Sequence, residues 1–244
     1  MKAFRPKLGT LPREQKALWP QLKPAKDHGF TLYGGTAIAL RLGHRISVDF
    51  DFFTDRKLDK KALLKKLAFL NGAQVLQEGP DTYVASVKPR GETNPVKLSF
   101  FAEIGFGRFG EPELTDDRVL RVAALEDLMA TKIKVILDRT EQRDYEDLAA
   151  LIQAGCPVAT AIAIAAEMFP NLSPQVALQA LAFHKDIPKL SEKAKRILIR
   201  AATSVRHLPN VERASHSLSE DGDDEGGTAD RALAPARRRG RLAR

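Results

Sequence analysis

Between Tyr33 and Phe53 the chain reads YGGTAIALRLGHRISVDFDFF, and no other stretch restricts its fold so tightly. The second half, Arg45–Phe53, alternates: Val48, Phe50 and Phe52 fall on one face, Ser47, Asp49 and Asp51 on the other. A period of two with an apolar back describes a half-buried strand. In the first half, Gly34-Gly35 precedes a short apolar segment closed by Gly43. That spacing predicts a helix over Ala37–Leu42 with Thr36 as its N-cap. Aspartates at i and i+2 of a strand project side by side, and like charges so close repel unless a cation lies between them. The pair is a natural chelate for a divalent metal, and an all-oxygen set favours Mg²⁺ or Mn²⁺ over zinc. Glycines at a helix start let backbone N–H groups approach a phosphate. A lone D-x-D is usually solvated and a lone diglycine is usually a turn. At this spacing, together, they describe a site for phosphate and metal.

The rest of the chain sets the context. Residues 11–28 read as a helical opening interrupted by Pro20 and Pro24, and Leu58–Leu70 as an amphipathic helix with outward lysines. Strands are expected over Thr82–Lys88 and Val96–Phe101, with Arg118–Val122 a further candidate and Gly105–Gly110 a loop. Helices are expected at Leu125–Leu137, Gln142–Gln153, Val158–Met168, Pro174–Phe183 and Ser191–Ala202. Mixed elements followed by helices alone predict an α+β chain: a sheet-based core over residues 1–155 and a helical segment over 156–205. The tail, 206–244, is rich in Ser, Gly, Asp and Ala and is expected to be disordered. From Val211 onward acidic and basic residues balance at seven each, so the net +8 belongs to residues 1–210. A single cysteine, Cys156, excludes an internal disulfide and a multi-cysteine zinc site. With no long apolar run and no leader pattern, a cytoplasmic protein without a membrane partner is expected.

Two downstream positions carry charge on apolar faces. On the helix Leu125–Leu137, Lys132 shares the stripe of Leu128 and Ile136, whereas Lys134 turns away. An inward lysine needs an anionic partner, which a nucleoside triphosphate would supply; a lysine snorkelling at the core edge is the plainer alternative. Asp144 shares a face with Asp147, Leu148 and Leu151 and also points inward.

Gly34-Gly35-Thr36, Leu40, Gly43-His44-Arg45, Ser47 and Asp49-Phe50-Asp51-Phe52-Phe53 resemble the signature of the AbiEii/AbiGii toxin nucleotidyltransferases, in the polymerase-β-like nucleotidyltransferase superfamily. A second block, Asp127-Leu128-Met129-Ala130-Thr131-Lys132, then Asp138-Arg139 and Arg143-Asp144-Tyr145-Glu146-Asp147-Leu148, resembles that family's downstream motifs. The resemblance covers roughly residues 12–155. It implies a polymerase-β-like core, a small mixed sheet with flanking helices. It implies Asp49 and Asp51 as catalytic ligands of Mg²⁺ (or Mn²⁺), and Lys132 in contact with the triphosphate. Gly34, Gly35, Thr36, Arg45, Ser47 and Lys97 would bind nucleotide or phosphate, although Arg45 could equally hold the aspartates. Arg143 and Asp144 would position nucleotide or catalytic groups, or else form an ion-paired helix cap; Asp147 is read as structural.

One position departs from the pattern. The superfamily usually carries a third carboxylate on a neighbouring strand, and Ser99 stands in that place. Glu103 shares the face if the strand runs on, but roughly 13 Å further along. Activation of the acceptor hydroxyl would then fall to Asp51, Asp144 or solvent. The resemblance implies transfer of an NMP from an NTP to a hydroxyl, as the toxin of a bacterial toxin–antitoxin pair with a cognate antitoxin. The acceptor would be the tRNA 3′ end, which a basic chain suits, or alternatively a Ser, Thr or Tyr hydroxyl of a protein. A degenerate, non-catalytic nucleotide- or RNA-binding relative is the third reading.

Overall fold

The computed structural model describes residues 2–219. In chain order these form β1 (Ala3–Phe4), α1 (Arg13–Leu18), α2 (Lys23–Asp27), β2 (Thr31–Tyr33), α3 (Gly34–Leu42), β3 (Asp49–Phe53) and α4 (Lys60–Lys66). Then come β4 (Gln74–Glu78), β5 (Thr82–Val87), β6 (Val96–Phe101), β7 (Glu113–Thr115) and β8 (Arg121–Val122). The helices α5 (Leu125–Asp138), α6 (Gln142–Gln153), α7 (Val158–Met168), α8 (Pro174–Ala182) and α9 (Glu192–Ser204) follow. One mixed sheet of order β1-β7-β8-β2-β3-β6-β5-β4 holds all eight strands. β3 lies inside it, antiparallel to β2 and parallel to β6. The architecture is the expected α+β arrangement, with a helical C-terminal half.

Alternation along β3 decides which way the sheet faces. Phe50 and Phe52 are fully buried on its back, where the Phe52 ring stacks on Phe100 at 5.0 Å and Trp19 and Phe30 close over them. Each such ring contributes about 1.5–3 kcal/mol by leaving water, so the register is firmly held and Asp49 and Asp51 must face the other way. On that side lie α3, α5 and α6, packed on one another, while α7 and α8 pack on α5 and α9 packs on α6.

Several expectations change. The ladder of β3 begins at Asp49, not Arg45, because the loop before it is pulled elsewhere: Ser47 N–H donates to the Thr10 carbonyl, and Arg45 reaches Asp147. Val48 therefore does not join the apolar back and stands 51% exposed. Thr36 is not a cap. The helix already starts at Gly34, Tyr33 takes the N-cap position, and the buried Thr36 hydroxyl donates to the Asp49 carbonyl and lies 2.9 Å from the Ser47 hydroxyl. It ties α3 to the start of β3. Gly43 closes the helix at φ +72°, as expected. The expected helix over 58–70 is shorter, running from an Asp59 cap to Lys66 before a 3₁₀ turn. β1, β2, β4 and β7 add strands; β4 is exposed throughout, so no alternation marked it. Glu103 lies beyond the end of β6 in a left-handed conformation, φ +54°, and does not continue the strand face.

The segment expected to be disordered from 206 is packed through Ser219. Arg108 and Ser215 bridge, Asp55 accepts from Leu218 N–H, Thr31 donates to the Leu218 carbonyl, and Leu218 is buried. Hydrogen bonds to its backbone and one apolar anchor hold a stretch whose composition gave no sign of order. Residues 220–244 lie outside the described residues.

Candidate active site

The parallel register of β3 and β6 places Asp49 beside Lys97 and Asp51 beside Ser99. All four side chains therefore share the face opposite the aromatic back. Above them opens a cavity of about 520 Å³. Gly34 and Gly35 form one lip, the loop Arg45–Val48 another, and Lys132, Arg139, Arg143 and Asp144 the opposite wall. Phe53, Phe101 and Val135 supply an apolar side, and Ile46, 65% exposed, stands at the mouth.

Gly34 is required twice over. Its φ is +74°, and a Cβ there would lie 2.5 Å from Asp51 Oδ2. A Cβ on Gly35 would collide with the Arg45 guanidinium. The diglycine lets the chain turn from strand to helix directly against the carboxylate. Burial raises the Asp51 pKa above the usual range; the Ser99 hydroxyl eases that, Asp49 adds to it, and Lys97 and Lys132 offset it. Ser99 Oγ is itself buried with no hydrogen-bond partner of good geometry. Two hard carboxylates, one reluctant to ionise, on the wall of an open cavity fit an oxygen-coordinated divalent cation. Among the described residues no cluster of three or more His, Cys, Asp and Glu side chains supplies a richer metal site. Water and substrate phosphates would have to complete the shell.

Lys132 faces the cavity from α5, as its place in the apolar stripe predicts. Its Nζ lies 2.9 Å from Asp144 Oδ1 and 3.0 Å from Asp147 Oδ2. Asp144 also accepts from Arg139 Nε at 3.0 Å. Asp147 is the hub: fully buried, it accepts from His44 at 2.7 Å and from Arg45 through Nε at 2.6 Å and Nη2 at 2.7 Å. Burial works to raise its pKa, yet the His44 and Arg45 hydrogen bonds and the charges of Lys132 and Arg45 hold it well below the carboxylate range. Arg143 lies at the cavity wall and pairs with Glu141 at 2.7 Å.

A family model described as "Nucleotidyl transferase AbiEii toxin, Type IV TA system" matches residues 21–214. The chain belongs to this AbiEii family. A relative in Aquifex aeolicus (strain VF5), an uncharacterized protein, is 31% identical over 121 residues, 49% of this chain and 55% of that protein. The chain thus spans about half the length of that curated relative. Among solved structures, one from H. pylori described as a candidate nucleotidyltransferase superposes with a TM-score of 0.54 at 19% identity, covering 78% of this chain and 92% of that one. MenT4, a nucleotidyltransferase toxin of Mycobacterium tuberculosis H37Rv, gives 0.55 at 15% identity, covering 79% and 82%. At those identities the two share the AbiEii chain's fold.

Both sequence blocks of the AbiEii chain meet at one cavity. Gly34, Gly35, Arg45, Ser47, Asp49, Asp51, Lys97, Lys132, Arg143 and Asp144 all line it. Thr36 does not: buried one turn behind the lip, its hydroxyl is engaged with Asp49 and Ser47, so it offers nothing to a phosphate. Arg139 and Phe53 stand in the two blocks but had no site role from the sequence, and Phe101 and Val135 were not singled out. Arg139 stands just past the end of α5, where helical periodicity no longer assigns a direction.

Proposed function

We propose that this AbiEii-family chain is a metal-dependent nucleotidyltransferase that moves an NMP from an NTP to an acceptor hydroxyl, the tRNA 3′ end by preference, as the toxin of a cytoplasmic toxin–antitoxin pair. The observation that carries the reading is that Asp49 and Asp51, with the Gly34-Gly35 lip packed directly against Asp51, open on one cavity that Lys132 also lines. Mg²⁺ or Mn²⁺ held by the two aspartates would supply charge neutralisation for the phosphates. Gly34 and Gly35 offer close backbone approach, and Lys97, Lys132, Arg139 and Arg143 offer positive charge to the triphosphate and its pyrophosphate leaving group. The acceptor oxygen bonds to the α-phosphorus as the bond to the β-phosphate oxygen breaks. The hydroxyl proton passes to solvent, because Asp51 would be engaged with the cation. Ser99, in place of a third carboxylate, is what favours the alternative of a non-catalytic relative.

The test is incubation of the purified chain with Mg²⁺, each α-³²P-NTP and total tRNA. Label should move to RNA, and D49N and D51N should each reduce transfer by at least about a hundredfold. Label on protein instead would replace the RNA acceptor with a protein hydroxyl. Equal turnover by D49N, D51N and the unmodified chain would end the catalytic reading.

A further inference from the structure

The cavity at Asp49 does not end at its own walls. At Arg45 and Glu146 it meets a second depression of about 340 Å³, lined by Ala149 and Ala150 of α6 and Lys193 and Ala194 of α9. Gln153 and Ile197 of that depression in turn border a third, of about 800 Å³, which follows α9 past Arg200 to Arg206 and His207. Neighbouring depressions share walls in this order, so the three lie end to end from the nucleotide cavity along the seam between α6 and α9. The 13 residues of α9 make that seam about 20 Å long.

The floor and the rim differ in kind. The floor is small and apolar, built from Ala149, Ala150, Ala194, Ala201 and Ile197, and can take a flat base or a ribose. The rim is cationic: Lys193, Arg200 and Arg206 line it and are exposed, and the one acid in α9, Glu192, is occupied by Lys195 at 2.8 Å. Lys193 and Arg200 stand two helical turns apart on one face of α9, about 10 Å along the axis, and Arg206 continues the series past the helix end. A repeat of that kind matches charge repeated along a chain, not a single anion. Cations tracking a backbone beside a floor for bases are how single-stranded nucleic acid is held.

We infer that the α6–α9 seam is the track of the acceptor, a single-stranded RNA end whose terminal hydroxyl enters the Asp49 cavity past Arg45 while Lys193, Arg200 and Arg206 contact its phosphates. The inference rests on the nucleotidyl-transfer reading of that cavity, and it adds a binding surface that runs on beyond the two sequence blocks.

The test measures binding and transfer separately. Anisotropy of a short fluorescent single-stranded RNA is followed across a salt series for the full chain and for K193E/R200E/R206E, whose three sites are exposed and outside the catalytic cavity. Each cation lost should reduce the slope of log K against log salt by about 0.7, so the variant should be shallower by about 2. Its affinity at moderate salt should fall at least about tenfold, while Mg²⁺·NTP binding, a check on the fold, stays unchanged. R200K should behave as the unmodified chain. Unchanged RNA affinity and slope in the triple variant would overturn the inference, as would loss of transfer to a protein acceptor with RNA binding intact. A lowered slope with no transfer from any NTP would leave the groove standing and remove the catalytic reading instead.

Discussion

Lys132 Nζ sits 2.9 Å from Asp144 Oδ1, with both side chains buried, and the same ammonium reaches Asp147. One cation thus separates two carboxylates that would otherwise repel in a poorly solvated interior. His44, Arg45 and Arg139 supply the remaining positive charge. The cavity wall and the packing of α3, α5 and α6 consequently depend on the same atoms, so any substrate that recruits Lys132 competes with Asp144 for it.

Replacing Lys132 should reveal this double duty. K132M keeps the length and removes the charge, leaving Asp144 and Asp147 buried without it, at a cost of about 3–5 kcal/mol. Adding D144N relieves the repulsion, so K132M/D144N should recover part of that loss. Nucleotide transfer should be absent from both. Urea melts and label transfer on the two variants check the pair; a double variant less stable than K132M would refute the charge-balance account.

Ser99 lies beside Asp51 in the parallel register, at the place of a third carboxylate. S99D would put a further negative charge next to a carboxyl that burial already makes hard to ionise. The metal-free chain should lose stability at neutral pH, and added Mg²⁺ should raise the melting temperature of S99D by more than it raises that of the unmodified chain. Equal Mg²⁺ shifts in the two would mean that a carboxylate at position 99 does not take part in holding the cation.

How much of this was legible follows from where each signal resides. Asp49 and Asp51 were readable because a strand period assigns faces without knowledge of partners. Lys132 was readable because a charge on an apolar helix stripe demands an anion. Asp147 was read as structural from its helix face, but its service to His44, Arg45 and Lys132 depends on α3 and α6 meeting, which periodicity does not report. Thr36 was misassigned because helix starts are read from cap residues, and here a glycine with φ +74° begins the helix earlier. The packing of Ser215–Ser219 was hidden because the segment offers mainly its backbone groups, which side chains of Thr31, Asp55 and Arg108 some hundred or more residues away take up.

Gly34 and Gly72 separate backbone strain from crowding. Both have positive φ, +74° and +84°, but a Cβ on Gly72 meets nothing, whereas one on Gly34 meets Asp51. Alanine at either site should cost about 1–2 kcal/mol for the left-handed backbone. Only G34A should also displace the carboxylate, reducing transfer at least about tenfold beyond any loss of folded protein. Transfer assays at a temperature where both variants are folded make the comparison; matched activity would remove Asp51 from the argument for Gly34.

Asp127 gives the chain a pH dependence separate from its chemistry. It is fully buried at the start of α5, and burial pushes its pKa up to about 7, against the N–H groups of Gly110 and Phe109 and aided by Glu126. The folded state therefore holds a proton that the unfolded chain releases near pH 3.8. Where the folded state binds more protons, stability falls as pH rises. This contribution is complete below about pH 3.8 and is lost as pH climbs through about 7, and at 1.36 kcal/mol per pKa unit it amounts to about 4 kcal/mol. D127N mimics the protonated form at every pH. Urea melts should find the two proteins alike near pH 4 and D127N the more stable at pH 8, the gap opening between those values. An unmodified chain that gains stability relative to D127N on going to pH 8 would show that Asp127 is held ionised by its backbone donors.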